Sequence, residues 1–130
     1  MMPGTMEVNL PGVVAEVAAA FARYEAALVS NDVAVLDELF WDSPHTIRYG
    51  IGEVLHGSDE IRAFRIGRPV AGLARTLERT VITTFGRDAA TASTLFRRAP
   101  GRLKRQMQTW VRMPEGWRVV AAHVSVVAEA

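Results

Sequence analysis

The stretch Thr46-Ile47-Arg48-Tyr49-Gly50-Ile51-Gly52-Glu53-Val54-Leu55-His56-Gly57 sets a guanidinium inside a run that otherwise has the composition of a buried strand. β-Branched and aromatic residues in alternation, ended by glycines, favour extended backbone. Alternation then puts Thr46, Arg48 and Gly50 on one face and Ile47, Tyr49 and Ile51 on the other. If the first face points inward, Arg48 needs an anion. That anion is either a carboxylate of the protein or one carried in by a ligand, which the fork of donors grips through paired hydrogen bonds. If the face points outward, Arg48 is a solvated surface residue. Spacing alone leaves both readings open.

Upstream of this strand, apolar residues recur at steps of three and four over residues 13–28, through Val14, Val17, Ala18, Phe21, Tyr24 and Leu28, which predicts an amphipathic helix. Tyr24 lies in its buried stripe, and its hydroxyl needs either a core partner or a cavity to face. Asn31-Asp32 is placed to cap a second helix through residue 40, which Trp41-Asp42-Ser43-Pro44 ends. Downstream, Gly57-Ser58-Asp59 starts a short helix with Ile61 and Phe64 inward and Arg62, Arg65 and Arg68 around it, ended by residues 69–72. Residues 79–85, 89–97, 106–113 and 117–127 are rich in Thr, Val and aromatics, with turn material at 86–88, 100–101 and 114–116. Helices first and strands later, with hairpin-length connections, predict an α+β fold with a mainly antiparallel sheet. Residues 1–10 are expected to be a loose lead to a single domain spanning 1–130.

In the last strand, alternation puts Trp117, Val119, Ala121, His123 and Ser125 on one face. Val120, Ala122, Val124 and Val126 take the other, an aliphatic face suited either to covering the helices or to a homodimer. Gln108, Trp110 and Arg112 form a second polar and aromatic row. A lone histidine such as His123 is more often a bonded structural residue than a functional one.

Composition narrows the function classes. At 130 residues and 49% hydrophobic, the chain supports one core. Its charge of +1 is spread without a basic block interleaved with aromatics, so nucleic acid is not an expected partner. The absence of cysteine excludes disulfides and thiolate chemistry. No apolar run approaches a membrane span or a signal core, so a cytoplasmic protein is expected. His45, His56 and His123 lack metal-ligand spacing, and neither metal nor cofactor is expected.

The order of elements and the ending Gly116-Trp117-Arg118-Val119-Val120-Ala121-Ala122-His123-Val124-Ser125 resemble the NTF2-like (SnoaL-like) superfamily. That resemblance implies a cone in which a strongly curved sheet wraps the N-terminal helices and leaves a pocket. Residues 46–50, Glu53, Gly57, residues 60–65, Arg68 and Gln108-Thr109-Trp110 look like the AtzH-like branch, which includes the HpxZ proteins associated with oxalurate catabolism. The branch implies a cofactor-independent, decarboxylating amidohydrolase of small carboxylated ureas, of the type that converts dicarboxyurea to allophanate. Its catalytic pair falls on Tyr24 and Arg48, and Arg68, Trp110, His123 and Ser125 are the expected substrate-binding walls. Two other readings stand beside it: an accessory subunit serving a partner amidase, and an isomerase or cyclase of an apolar substrate with Glu53 or His123 as base.

Overall fold

The computed structural model describes residues 5–99 and 101–128; Pro100 and the first four residues of the expected lead lie outside them. Pro11 opens α1 (Pro11–Ser30), where its missing N–H costs nothing because first-turn donors lack helical acceptors. Val13, Val17, Phe21, Tyr24, Ala27 and Leu28 form its buried stripe. The helix ends at Asn31 in the left-handed conformation (φ 49°, ψ 48°). Asp32 alone caps α2 (Val33–Leu39), accepting from the Val35 N–H at 3.3 Å. The expected joint cap is therefore divided, and Asn31 is left for other work.

β1 (Ile47–Tyr49) and β2 (Val54–His56) form a short hairpin leading into α3 (Ser58–Ile66). No side chain caps α3; Gly57 enters it at φ 88°, and Ser58 donates instead to Asp42 at 2.8 Å. β3 (Thr76–Phe85), β4 (Ala89–Arg97), β5 (Lys104–Met113) and β6 (Gly116–Val126) complete one curved sheet, ordered β2-β1-β6-β5-β4-β3. Only the β1·β6 pairing is parallel. The α+β expectation holds. The helices pack on the inner face, where Val17, Leu36, Ile61, Trp110 and Val119 are buried. Among the described residues, no helix is long and apolar enough to cross a membrane.

Arg48 belongs to that inner face, with Thr46 beside it. Arg65, expected around α3, is also inside, only 2% exposed. Residues 7–9 are not loose. The Asn9 N–H donates to the Thr84 carbonyl at 3.0 Å, the Thr84 N–H donates to the Asn9 side chain at 2.9 Å, and the Gly86 N–H donates to the Glu7 carbonyl at 2.8 Å. This contact pairs the end of β3, whose edge otherwise presents unmatched backbone groups.

The departure from simple alternation that bears on the expected site residues is in β6. Thr109 pairs with Ala121 but Trp110 with Val119, so Val120 is left over as a bulge. One extra residue inverts every side chain beyond it. Trp117 and Val119 point inward, but past the bulge the inward positions are Ala122, which is buried, and Val124, which lines a cavity, while His123 is exposed. The expected row joining Trp117 to His123 and Ser125 is therefore broken; of the aliphatic face, Val120 drops out at the bulge while Ala122 and Val124 turn inward, toward the helices and the cavity. Trp110→Ala is expected to cost about 3–5 kcal/mol of stability, and His123→Ala less than about 0.5, in urea melts. Equal losses would mean the bulge is misplaced.

Candidate functional site

Between the helices and the open end of the sheet lies a cavity of about 300 Å³. α1 brings Tyr24 to it, β1 Arg48, the β1–β2 loop Gly50 and Glu53, and the exit from α3 Arg68. Three of the six expected site residues thus share one hollow. Trp110 is fully buried elsewhere, donating its ring N–H to Gln108 at 3.0 Å in the core layer below. His123 sits on the outer face, edge-on to the Tyr49 ring at 6.0 Å. The Ser125 hydroxyl accepts from Arg105 at 2.8 Å and does not line the cavity. The bulge at Val120 accounts for both of these corrections.

The anion that buried Arg48 requires is Glu53, bonded at 2.7 Å. The loop is built around this carboxylate. The Gly50 N–H closes the hairpin on the Glu53 carbonyl at 2.9 Å, and the Gly52 N–H donates to the other carboxylate oxygen at 3.2 Å. A Cβ on Gly50 would stand 1.8 Å from the carboxylate oxygen that holds Arg48. Any side chain there would have to displace the Glu53 carboxylate.

The opposite wall was not foreseen. Arg75, in the segment before β3, forms a two-pronged ion pair with Glu25 of α1 and donates to Gln106 of β5 at 3.2 Å. Arg98 follows β4 and also lines the cavity. Carrying the alternation of Ala92, Thr94 and Phe96 one step past the strand end finds it. Arg68 is held by Asn31, which accepts from its guanidinium at 3.2 Å and donates to the carbonyls of Arg65 and Arg68 at 3.1 and 3.3 Å. Freed from capping α2, Asn31 ties the end of α1 to the end of α3.

Positive charge therefore exceeds negative in this hollow. Burial, and then the neighbouring Arg48, hold Arg68 below the ordinary arginine pKa; burial and then Arg75 do the same to Arg98. Arg65 lies stacked on Phe40 at 4.1 Å with the Asp37 carboxylate 3.8 Å away, and burial pulls it down to about 10. Tyr24 is flanked by the rings of Phe21 and Phe40, and its hydroxyl makes no hydrogen bond among the described residues. Among those residues, no cluster of three His, Asp or Glu side chains is arranged to hold a metal ion.

The family model described as AtzH-like matches residues 6–130. The chain belongs to the AtzH-like family. Among solved structures, this AtzH-like chain is similar to a DUF3225-family protein from Pectobacterium atrosepticum, described as of unknown function. The two are 61% identical with a TM-score of 0.93, covering 98% of this chain and 99% of that one. A cystatin-like fold protein from Burkholderia xenovorans is 53% identical with a TM-score of 0.91, covering 97% and 100%. An NTF2-like superfamily protein from Salmonella enterica is 25% identical at 0.73, covering 92% and 94%. No curated protein matches the chain.

In this AtzH-like protein, Gly50→Ala is expected to push the Glu53 carboxylate off Arg48 and to cost about 1–3 kcal/mol, the worth of a hydrogen bond between charged groups. In a Glu53→Ala background the same change should be nearly neutral. A double-mutant cycle from denaturant melts measures the difference. Equal costs in both backgrounds would show that Gly50 serves the backbone.

Proposed function

We propose that this protein is a cytoplasmic, cofactor-independent amidohydrolase that removes a carboxylate from a small carboxylated urea or ureide, of the dicarboxyurea-to-allophanate type. The observation that supports it is the meeting of Tyr24 and Arg48 in one small hollow with more guanidinium than carboxylate. Four arginines on the lining suit a compact acid and give an apolar ligand little to bind.

In this reading the guanidiniums hold the carboxylates of the substrate and stabilise charge as it develops on oxygen. The Tyr24 phenol gives its proton to the nitrogen bearing the departing carboxylate. The N–C bond breaks, its electron pair stays on nitrogen, and carbon dioxide leaves. Water then returns a proton to the tyrosine oxygen. Glu53, bonded to Arg48, keeps that fork oriented before the substrate arrives.

The same bond favours one second reading. Because Arg48 is already neutralised by a protein carboxylate, the cavity also suits a subunit that binds an acid without transforming it and serves a partner amidase. Such a subunit would co-purify with that enzyme and show no turnover alone.

Tyr24→Phe is expected to lower kcat/KM for dicarboxyurea by about 10²–10⁴-fold, the range of a lost general acid. Arg48→Lys is expected to lower it by about 10²–10³-fold, because charge without the fork misplaces the oxygen it must hold. Carbon dioxide release by the purified, folded proteins measures both. Full wild-type rates in the two variants, or no turnover of any carboxylated urea by the wild type, would remove the catalytic reading.

A further inference from the structure

The four cavity arginines stand in two sets, each built on one aromatic ring. Arg48 and Arg68 lie 5.1 and 5.5 Å from the centroid of Phe64; Arg75 and Arg98 lie 4.3 and 5.2 Å from that of Phe96. Within each set, one guanidinium is neutralised by the protein: Arg48 by Glu53, Arg75 by Glu25. The other is not. Among the described residues, neither Arg68 nor Arg98 forms an ion pair, and each retains a buried Nε donor without an acceptor. Gln106, which also lines the cavity, likewise keeps a buried amide nitrogen without a partner. Unmatched buried donors are costly, and here each belongs to a half-buried cation that no protein carboxylate pairs. Their retention at the wall of a hollow points to acceptors that arrive with a ligand.

From this arrangement, and resting on the reading of the cavity as an acid-binding site, we infer that Arg68 and Arg98 are its specificity-determining residues. Each receives one carboxylate, so the cavity selects a small dianion carrying two separated carboxylates over a monoanion. Arg68 presents its fork already fixed by Asn31, which reduces the ordering needed on binding. The two guanidiniums are also within reach of each other's field, since Arg98 is among the like charges that lower the Arg68 pKa after burial and Arg48. A ligand with a single carboxylate leaves one of those charges unanswered.

Calorimetric titration of the intact protein with malonate and with acetate, at matched ionic strength, tests this without requiring turnover. Malonate is expected to bind about tenfold or more tightly than acetate, the factor carried by one further charge-assisted contact. Arg98→Gln and Arg68→Gln should each bring that ratio toward one, and Arg98→Lys should recover part of it, because charge returns without the fork. A wild-type ratio near one overturns the assignment before any variant is made. So does a folded Arg98→Gln protein that keeps the full ratio or, if that variant does not fold, a folded Arg98→Lys protein with an undiminished ratio. The two failures are separable: a protein inert toward every carboxylated urea that still shows the preference, and loses it in the variants, supports the assignment and removes only the hydrolase reading. Turnover of dicarboxyurea by a protein whose malonate preference Arg98→Gln leaves untouched does the reverse.

Discussion

A guanidinium does not give up its proton at any physiological pH, so an arginine taken out of water must be met by charge, by a ring or by a ligand. This molecule takes five of them, Arg48, Arg65, Arg68, Arg75 and Arg98, into or beside one hollow. Its loops, caps and ring placements follow from how each is met. Glu53 is folded back over a glycine to reach Arg48, and Glu25 reaches across from α1 to Arg75. Asn31 leaves its expected capping role to fix Arg68, and Phe40 supplies a face to Arg65. Three carboxylates, with Asp37 beside Arg65 the third, and three rings answer most of the charge and leave a remainder.

That remainder separates a structural site from a functional one. Replacing paired buried charges by hydrophobic residues of similar shape is commonly neutral or stabilising, so stability gives little reason to keep an arginine without a partner. Binding does give one. A cation held in a half-dry cavity interacts with an incoming anion more strongly than it would in bulk water, and it has no protein carboxylate to be pulled away from. The paired members of the two sets provide rigidity, and the unpaired members provide the field.

The α+β architecture was legible in the sequence, and so were three members of the site: local rules put Tyr24 and Arg48 on definite faces, and the family resemblance joined them with Arg68. Tyr24 lies on a helix with an unbroken 3.6-residue pattern, and Arg48 on a strand whose alternation runs from Thr46 without a shift. His123 and Ser125 were misplaced because alternation was carried through β6 as if no residue were extra. A bulge at Val120 is a pairing event between two strands, and neither strand announces it alone. The helical pattern sets Arg65 around α3 with Arg62 and Arg68; its burial depends on Phe40 and Asp37, which meet it only when α2 packs on α3. Arg75 lies ahead of β3, whose start the sequence puts at residue 79, so periodicity gives it no direction; Arg98 lies one alternation step past the end of β4, beyond the predicted strand.

The bulge also helps explain where the hollow lies. Below it, Trp110, Trp117 and Val119 fill the space against α1 and α2, and their bulk leaves no room for a ligand. Beyond it the inward positions of β6 are Ala122 and Val124, both smaller, and the row above Trp110 on β5 narrows from indole to the amides of Gln108 and Gln106. Had β6 kept strict alternation from Trp117, His123 would have taken the inward face at this level. One inserted residue therefore turns an imidazole away from the hollow, whose facing walls carry a phenol and a set of guanidiniums.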